Sequence, residues 1–189
     1  MEKPSGTPRD VWWWLWVVAP PIPAAVLTLL DATFPGGSLL RLLTVAAWVF
    51  AFFAWVVVLA LSGIRTRVAL LVTPVVAATT WGLAATEIPF RGAFALSEAA
   101  LTSFVKSLPI EPEEKPSDTE GSASFRLVGL YIVGGWSRRA GAAHIGVVGG
   151  GGVLEQCGLT YLTGDRIEDY DYSSVRPLHG GWYAVCSAD

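Results

Sequence analysis

Hydrophobic positions run almost unbroken through the first half of the chain and then break into short alternations. Three long apolar stretches come first: 11–30 (VWWWLWVVAPPIPAAVLTLL), 39–61 (LLRLLTVAAWVFAFFAWVVVLAL) and 68–85 (VALLVTPVVAATTWGLAA). A helix needs about 20 such residues to cross a hydrocarbon core of about 30 Å. The middle stretch shows no polar face at helical spacing, which predicts lipid on several of its sides. The pattern predicts three transmembrane helices within residues 1–87. The first stretch reads as a span and not a signal peptide, because its apolar run is long, is broken by prolines and is followed by two more spans. Pro20, Pro21 and Pro23 are expected to kink it near its middle. Trp12, Trp13, Trp14 and Trp16 stand at its start, where indole rings favour the headgroup level.

After Glu87-Ile88-Pro89 the period changes. Proline disfavours helix in the residue before it, so this tripeptide is expected to end the third span. In FALSEAALTSFVKSLP, Phe94, Leu101, Phe104, Val105 and Leu108 recur at helical spacing. Ser97 is the expected N-cap, with Glu98 in the first turn. Residues 109–122 (PIEPEEKPSDTEGS) cannot build a core and read as an exposed flexible loop. FRLVGLYIV, HIGVV, GLTYL and GWYAVCSA then read as about four antiparallel strands. Between the first two, GGWSRRAGA reads as a glycine-rich turn with two exposed arginines. The expected second domain, residues 88–189, is a small α+β unit of one helix and those strands.

Charge supplies orientation. Residues 11–85 hold only Asp31, Arg41, Arg65 and Arg67, whereas residues 91–189 hold eight Lys/Arg and twelve Asp/Glu. Lys3 and Arg9 precede the first span, and Arg65 and Arg67 lie in the second connection; the first connection, DATFPGGS, has no basic residue. Basic residues in short loops stay in the cytoplasm, so Arg65 and Arg67 determine a topology with the N-terminus inside and the C-terminal domain outside. Arg41, at the start of the second span, is expected to reach outward to the headgroups. The spans contain no central carboxylate, lysine or histidine, which argues against a proton or ion pathway. Ala47/Ala51 and Ala78/Gly82 are small-xxx-small pairs that would permit close helix approach.

Composition narrows the chemistry. Mean hydropathy is +0.49 and 15% of residues are charged, against about 25% in a soluble domain. No basic cluster suits nucleic acid, so none is expected as a partner. The two cysteines, Cys157 and Cys186, both fall in the outer domain. In an oxidising compartment they are expected to form a disulfide. They lack the companions of a metal site, and neither histidine, His144 or His179, stands near a cysteine in sequence. Asp165, Glu168, Asp169 and Asp171 are the candidate cation-binding residues, although their spacing departs from the calcium-loop pattern. Gly149–Gly152 lacks the Lys-Ser/Thr of a phosphate loop and reads as a hairpin. No nucleophile elbow or metalloprotease motif is present, so no catalytic residue, metal or cofactor is expected.

The order of three spans, then FALSEAAL, VGLYIV, GLTYL and a closing HGGWY, resembles small three-span membrane proteins of high-GC Gram-positive (actinobacterial) type. That family carries no established activity, so the resemblance implies no catalytic residue. It implies a multi-pass plasma-membrane protein facing the cell envelope. The expected partners are the lipid bilayer and a membrane or envelope protein, or a second copy of the chain. The expected role is non-enzymatic interaction, with small-ligand or cation sensing through the acidic loop 165–171 as the alternative.

Overall fold

The computed structural model describes residues 18–36, 40–62, 67–110, 125–151 and 155–188. The tryptophan cluster at 12–16, Arg65 and most of the stretch 109–122 lie outside the described residues. The chain divides into two units, one holding residues 1–31 and 40–86, the other 32–39 and 87–189.

The first unit contains three helices: α1 (Pro21–Asp31), α2 (Leu40–Ser62) and α3 (Arg67–Ala85). Val18 is helical, Ala19 and Pro20 form a turn, and Pro21 and Pro23 occupy the first turn of α1, where a missing N–H costs nothing; the chain is thus interrupted at the prolines, and the residues before Val18 lie outside the described ones. Trp48 Nε1 donates to Thr28 Oγ1 at 2.8 Å, and Thr28 Oγ1 donates to Ala24 O at 2.7 Å, tying α2 to α1. Arg41, expected to reach outward to headgroups, meets Asp31 at 3.7 Å, so it has a carboxylate neighbour. Of the small-xxx-small pairs, Ala51 is buried, whereas a Cβ on Gly82 would meet nothing within 4 Å.

At about 1.5 Å per residue, α2 is about 34 Å long and α3 about 28 Å, while α1 reaches only about 16 Å. Within α2, Leu40–Ala60 is long and apolar enough to cross a membrane by itself, and 11% of its most apolar stretch is buried. The expectation of three spans is thus met by one helix outright. A second candidate arises only if Leu71–Ala85 and the following helix are taken as one broken span. Thr73, Pro74, Thr79, Thr80 and Gly82 dilute the apolar character of α3, and α1 is only 11 residues long.

The second unit is an α+β domain. Its helix, α4 (Ile88–Ser107), begins nine residues earlier than its expected cap. Glu87 adopts a left-handed conformation (φ 60), which breaks the chain from α3, and Pro89 sits in the first turn, where it starts a helix instead of ending one. Phe90, Ala93, Phe94, Ser97, Leu101, Phe104 and Val105 form the buried face. They pack on a six-stranded antiparallel sheet in the order β1-β2-β3-β4-β6-β5. Its strands are β1 (Arg126–Val128), β2 (Tyr131–Arg138), β3 (Ala142–Val147), β4 (Glu155–Leu162), β5 (Ser174–Pro177) and β6 (Trp182–Ala188).

Six strands replace the expected four for two local reasons. FRLVGLYIV is a hairpin and not one strand, because Gly129 (φ 62) turns the chain between β1 and β2. SSVRP, which lies outside the four expected strands, pairs with β6 as the other edge. A register shift between Val133 and Gly135 then changes which side chains of β2 face the helix. Beyond it, Trp136 packs edge-on to Phe104, with centroids 5.5 Å apart. Arg138 donates to Lys106 O (3.0 Å) and Leu108 O (2.7 Å), carbonyls at the end of α4. Of the two arginines expected in an exposed turn, Arg138 is therefore engaged at a helix terminus, and Arg139 alone is exposed.

Ser97 is a joint and not a cap. Its hydroxyl donates to Ala93 O at 2.9 Å and accepts from Leu130 N at 3.0 Å, so it holds the β1–β2 turn against the helix. A Cβ on Gly129 would lie 2.6 Å from that of Ser97. Replacing Ser97 by Ala leaves the Leu130 N–H without its acceptor. We expect a loss of about 1–3 kcal/mol in unfolding free energy. Ser103→Ala, at an exposed position of the same helix, should change it little; denaturant unfolding of the full chain measures both.

Candidate functional site

The two cysteines meet as direct cross-strand partners, Cys157 on β4 opposite Cys186 on β6, in a disulfide with both residues buried. The connection after α1 covers it. A Cβ on Gly36 (φ 74) would collide with both sulfurs, so only glycine lets the backbone lie against them. Pro35 O accepts from Gly151 N at 3.1 Å, Thr33 O accepts from Tyr131 Oη at 3.4 Å, and Phe34 packs against the core. Residues 32–36 are thus part of the domain.

The face of the sheet away from α4 carries polar chemistry. Ser137, His144, Thr160 and Tyr183 are successive cross-strand partners on β2, β3, β4 and β6. Beside that row, Gly135, Gly146 and Gly158 are likewise partners, leaving three strands without side chains at that level. His144 leans over Gly158, whose hypothetical Cβ would meet the imidazole at 3.1–3.2 Å. Its Nδ1 lies 3.1 Å from Thr160 Oγ1, which in turn lies 3.3 Å from Tyr172 Oη. Tyr172 stacks on His144 and Tyr170 stacks on Tyr172, with interplanar angles of 22° and 17°. A cavity of about 230 Å³ opens here, lined among others by Ser137, Arg139, His144, Thr160, Tyr170 and Tyr172.

The acidic loop builds one wall of this cavity, but with its tyrosines. Thr163, Gly164 and Asp165 direct their N–H groups to Gly141 O, and Tyr170 Oη donates to Asp165 Oδ2 at 2.6 Å. Asp169 Oδ2 accepts from Arg166 N at 3.4 Å in the short 3-10 turn Ile167–Asp169. Ser173 anchors the end of the loop through N and Oγ to Cys186 O. Asp165 and Asp169 thus shape the loop, while Glu168 and Asp171 are exposed. Among the described residues these four carboxylates form no three-ligand group. The group that does converge is Glu155 with Cys157 and Cys186, whose sulfurs are joined to each other.

The two histidines have different neighbours. His179 Nδ1 lies 3.2 Å from Glu98 Oε1 with its side chain 87% exposed, a surface pair. His144 faces the hydroxyls of Thr160 and Tyr172. Burial lowers its pKa below the ordinary 6.5, which favours the neutral ring. Tyr170 is pushed up to about 12, by burial first and then by its hydrogen bond to Asp165 and that carboxylate's charge. Sequence reading named His144, but not its association with Tyr170, Tyr172 and Arg139. The i, i+2 spacing in DYDY was the available signal, since it puts both rings on one side of an extended chain.

In the helical unit, α2 and α3 flank an apolar groove of about 610 Å³ lined by Trp48, Phe52, Trp55, Thr73, Pro74 and Trp81. Within it, Trp55 Nε1 and Thr73 Oγ1 are buried without hydrogen-bond partners.

The His144 shift fixes a sign for pH dependence. Its folded pKa lies below the unfolded value, so the unfolded chain takes up a proton first as pH falls through 6.5. The domain is expected to lose stability on acidification from pH 7 toward pH 5. His144→Gln should flatten that part of the slope, read as melting temperature against pH. Compared with protein-family models, with characterised proteins and with solved structures, the chain matches none.

Proposed function

We propose that this chain is a multi-pass plasma-membrane protein with a cytoplasmic N-terminus and a disulfide-bonded domain, residues 88–189, outside the cell. Its role is non-enzymatic: an interaction or accessory protein of the cell envelope, of the actinobacterial kind that the sequence resembles. The observation that carries this reading is Leu40–Ala60, a helix of spanning length whose Leu42, Phe50 and Phe53 are exposed. Such an apolar surface is stable in lipid and a liability in water. α1 and α3 are read as belonging to the remaining spans.

Two further facts support the orientation. A disulfide persists in an oxidising compartment. Residues 32–36, which connect the first two spans, pack with the domain. With three spans and the N-terminus inside, that connection and the C-terminal domain fall on the same, outer side, and this packing is compatible with that arrangement. The orphaned Trp55 and Thr73 in the α2–α3 groove favour a membrane partner or a second copy there, since an unpaired polar group in lipid is costly.

A second reading, a domain that binds a small ligand beside the acidic loop 165–171, is favoured by the cavity walled by Tyr170 and Tyr172. For the first reading, a reporter active only outside the cytoplasm is expected to work when fused after Asp189 and to fail in the Arg65/Arg67 connection. Extraction in mild detergent should recover a stoichiometric partner or a homo-oligomer. A cytoplasmic C-terminus overturns the topology, and a partner-free monomer overturns the interaction role.

A further inference from the structure

The cavity on the outward face of the sheet has a composition that selects among ligands, and the following rests on the small-ligand reading just given. We propose that it binds a single neutral sugar ring, as a free glycoside or as one unit of an envelope glycan.

Three properties of the site converge on that class. The first is hydrogen bonding. The hydroxyl-bearing residues Ser137, Tyr172 and Ser187 line the cavity, with the buried Thr160 bonded to His144 and Tyr172 behind them, and a hydroxyl both donates and accepts. A polyol presents the same dual groups. Arg139 adds planar donors and makes no ion pair among the described residues, so its guanidinium is available to a ligand oxygen. His144 hydrogen-bonds there through Nδ1 to Thr160 alone, with the ring kept neutral by burial.

The second property is the wall. His144, Tyr172 and Tyr170 stack in nearly parallel sequence, with centroid separations of 6.4 and 5.8 Å. The negative face of an aromatic ring attracts the weakly positive C–H side of a sugar ring, which has few other apolar surfaces to offer. Tyr172 lies between His144 and Tyr170 in this wall and holds its hydroxyl beside Thr160.

The third property is the balance of charge and size. Asp165, Glu168, Asp169 and Asp171 belong to the loop that forms the wall, and their charge disfavours an anion. Arg139, an exposed residue that lines the cavity, disfavours a cation. The volume of about 230 Å³ equals about eight waters and falls below the range of drug-sized pockets, about 300–1,000 Å³, which fits one ring and not a chain.

The test uses the full chain in lipid nanodiscs, free of glycoside detergents whose sugar heads would occupy the site. Saturation-transfer NMR is recorded with methyl glucoside, with N-acetylglucosamine and with acetate, and calorimetry with calcium chloride. We expect a sugar signal with a Kd on the order of 1 mM. The affinity should fall at least tenfold in Tyr172→Ala and in Arg139→Ala, and hold in Leu127→Ala, an exposed residue of β1. Arg139 is exposed, so its variant keeps the fold even where Tyr172→Ala loosens the loop. A sugar signal unchanged in both variants places binding elsewhere and overturns the proposal. Binding of acetate or calcium without sugar overturns the ligand class while leaving the small-ligand reading intact. Silence from all four probes removes both.

Discussion

The burial of Trp182 sets the geometry of the whole C-terminal domain. Its side chain is fully buried, packing edge-on to Phe94, tilted against Tyr161, and donating from Nε1 to Thr102 Oγ1 at 3.2 Å. Because side chains alternate along a strand, placing Trp182 under α4 commits Ala184 and Cys186 to the same side. Tyr183, Val185 and Ser187 are committed to the other. The β4–β6 register then pairs Cys157 with Cys186 toward the helix, and Thr160 with Tyr183 away from it. A slip of one residue would put the indole in water and separate the cysteines, which is why this register is strongly specified.

On that frame, two kinds of stabilisation meet at different scales. The core joins Phe90, Phe94, Leu101 and Phe104 of α4 to Tyr131, Ile145, Leu159 and Trp182 of the sheet. Each large apolar side chain contributes about 1.5–3 kcal/mol on burial, so the core dominates. The disulfide closes a separation of 29 residues and adds roughly 3–4 kcal/mol in the chain-entropy model. That is a useful increment for a domain of about 100 residues, whose margin is only several kcal/mol. Its placement has a second consequence. Gly36 lies against the sulfurs, so the segment 32–36 is shaped by a bond formed more than a hundred residues later in the chain.

The parts of the fold legible in advance were those governed by local periodicity. The apolar runs marked α2 and α3 to within a residue or two, because an unbroken hydrophobic stretch needs no tertiary information to be seen. The stripe of α4 was equally plain, but its start was not. Pro89 is compatible both with ending one helix and with opening the next, and the left-handed Glu87 decided for the latter. The hairpin at Gly129 and the edge strand β5 escaped because both are short, and a strand of three or four residues has too little alternation to register. Ser97 looked like a cap by residue type, yet its partner, Leu130, is 33 residues away.

Taken alone, the amino-acid sequence determined the apolar first half, the charge asymmetry, the mixed helix-and-strand second half and the pairing of its only two cysteines. Those properties are composition, local period and counting, which do not depend on where distant residues lie. Tertiary structure decided the remainder: which face of β2 meets the helix after its register shift, that Arg138 binds a helix terminus while Arg139 stays exposed, and that His144 stacks beneath Tyr172. Each depends on strand register and loop path, and these are set by the packing of Trp182 and its neighbours, contacts between residues about 80 positions apart.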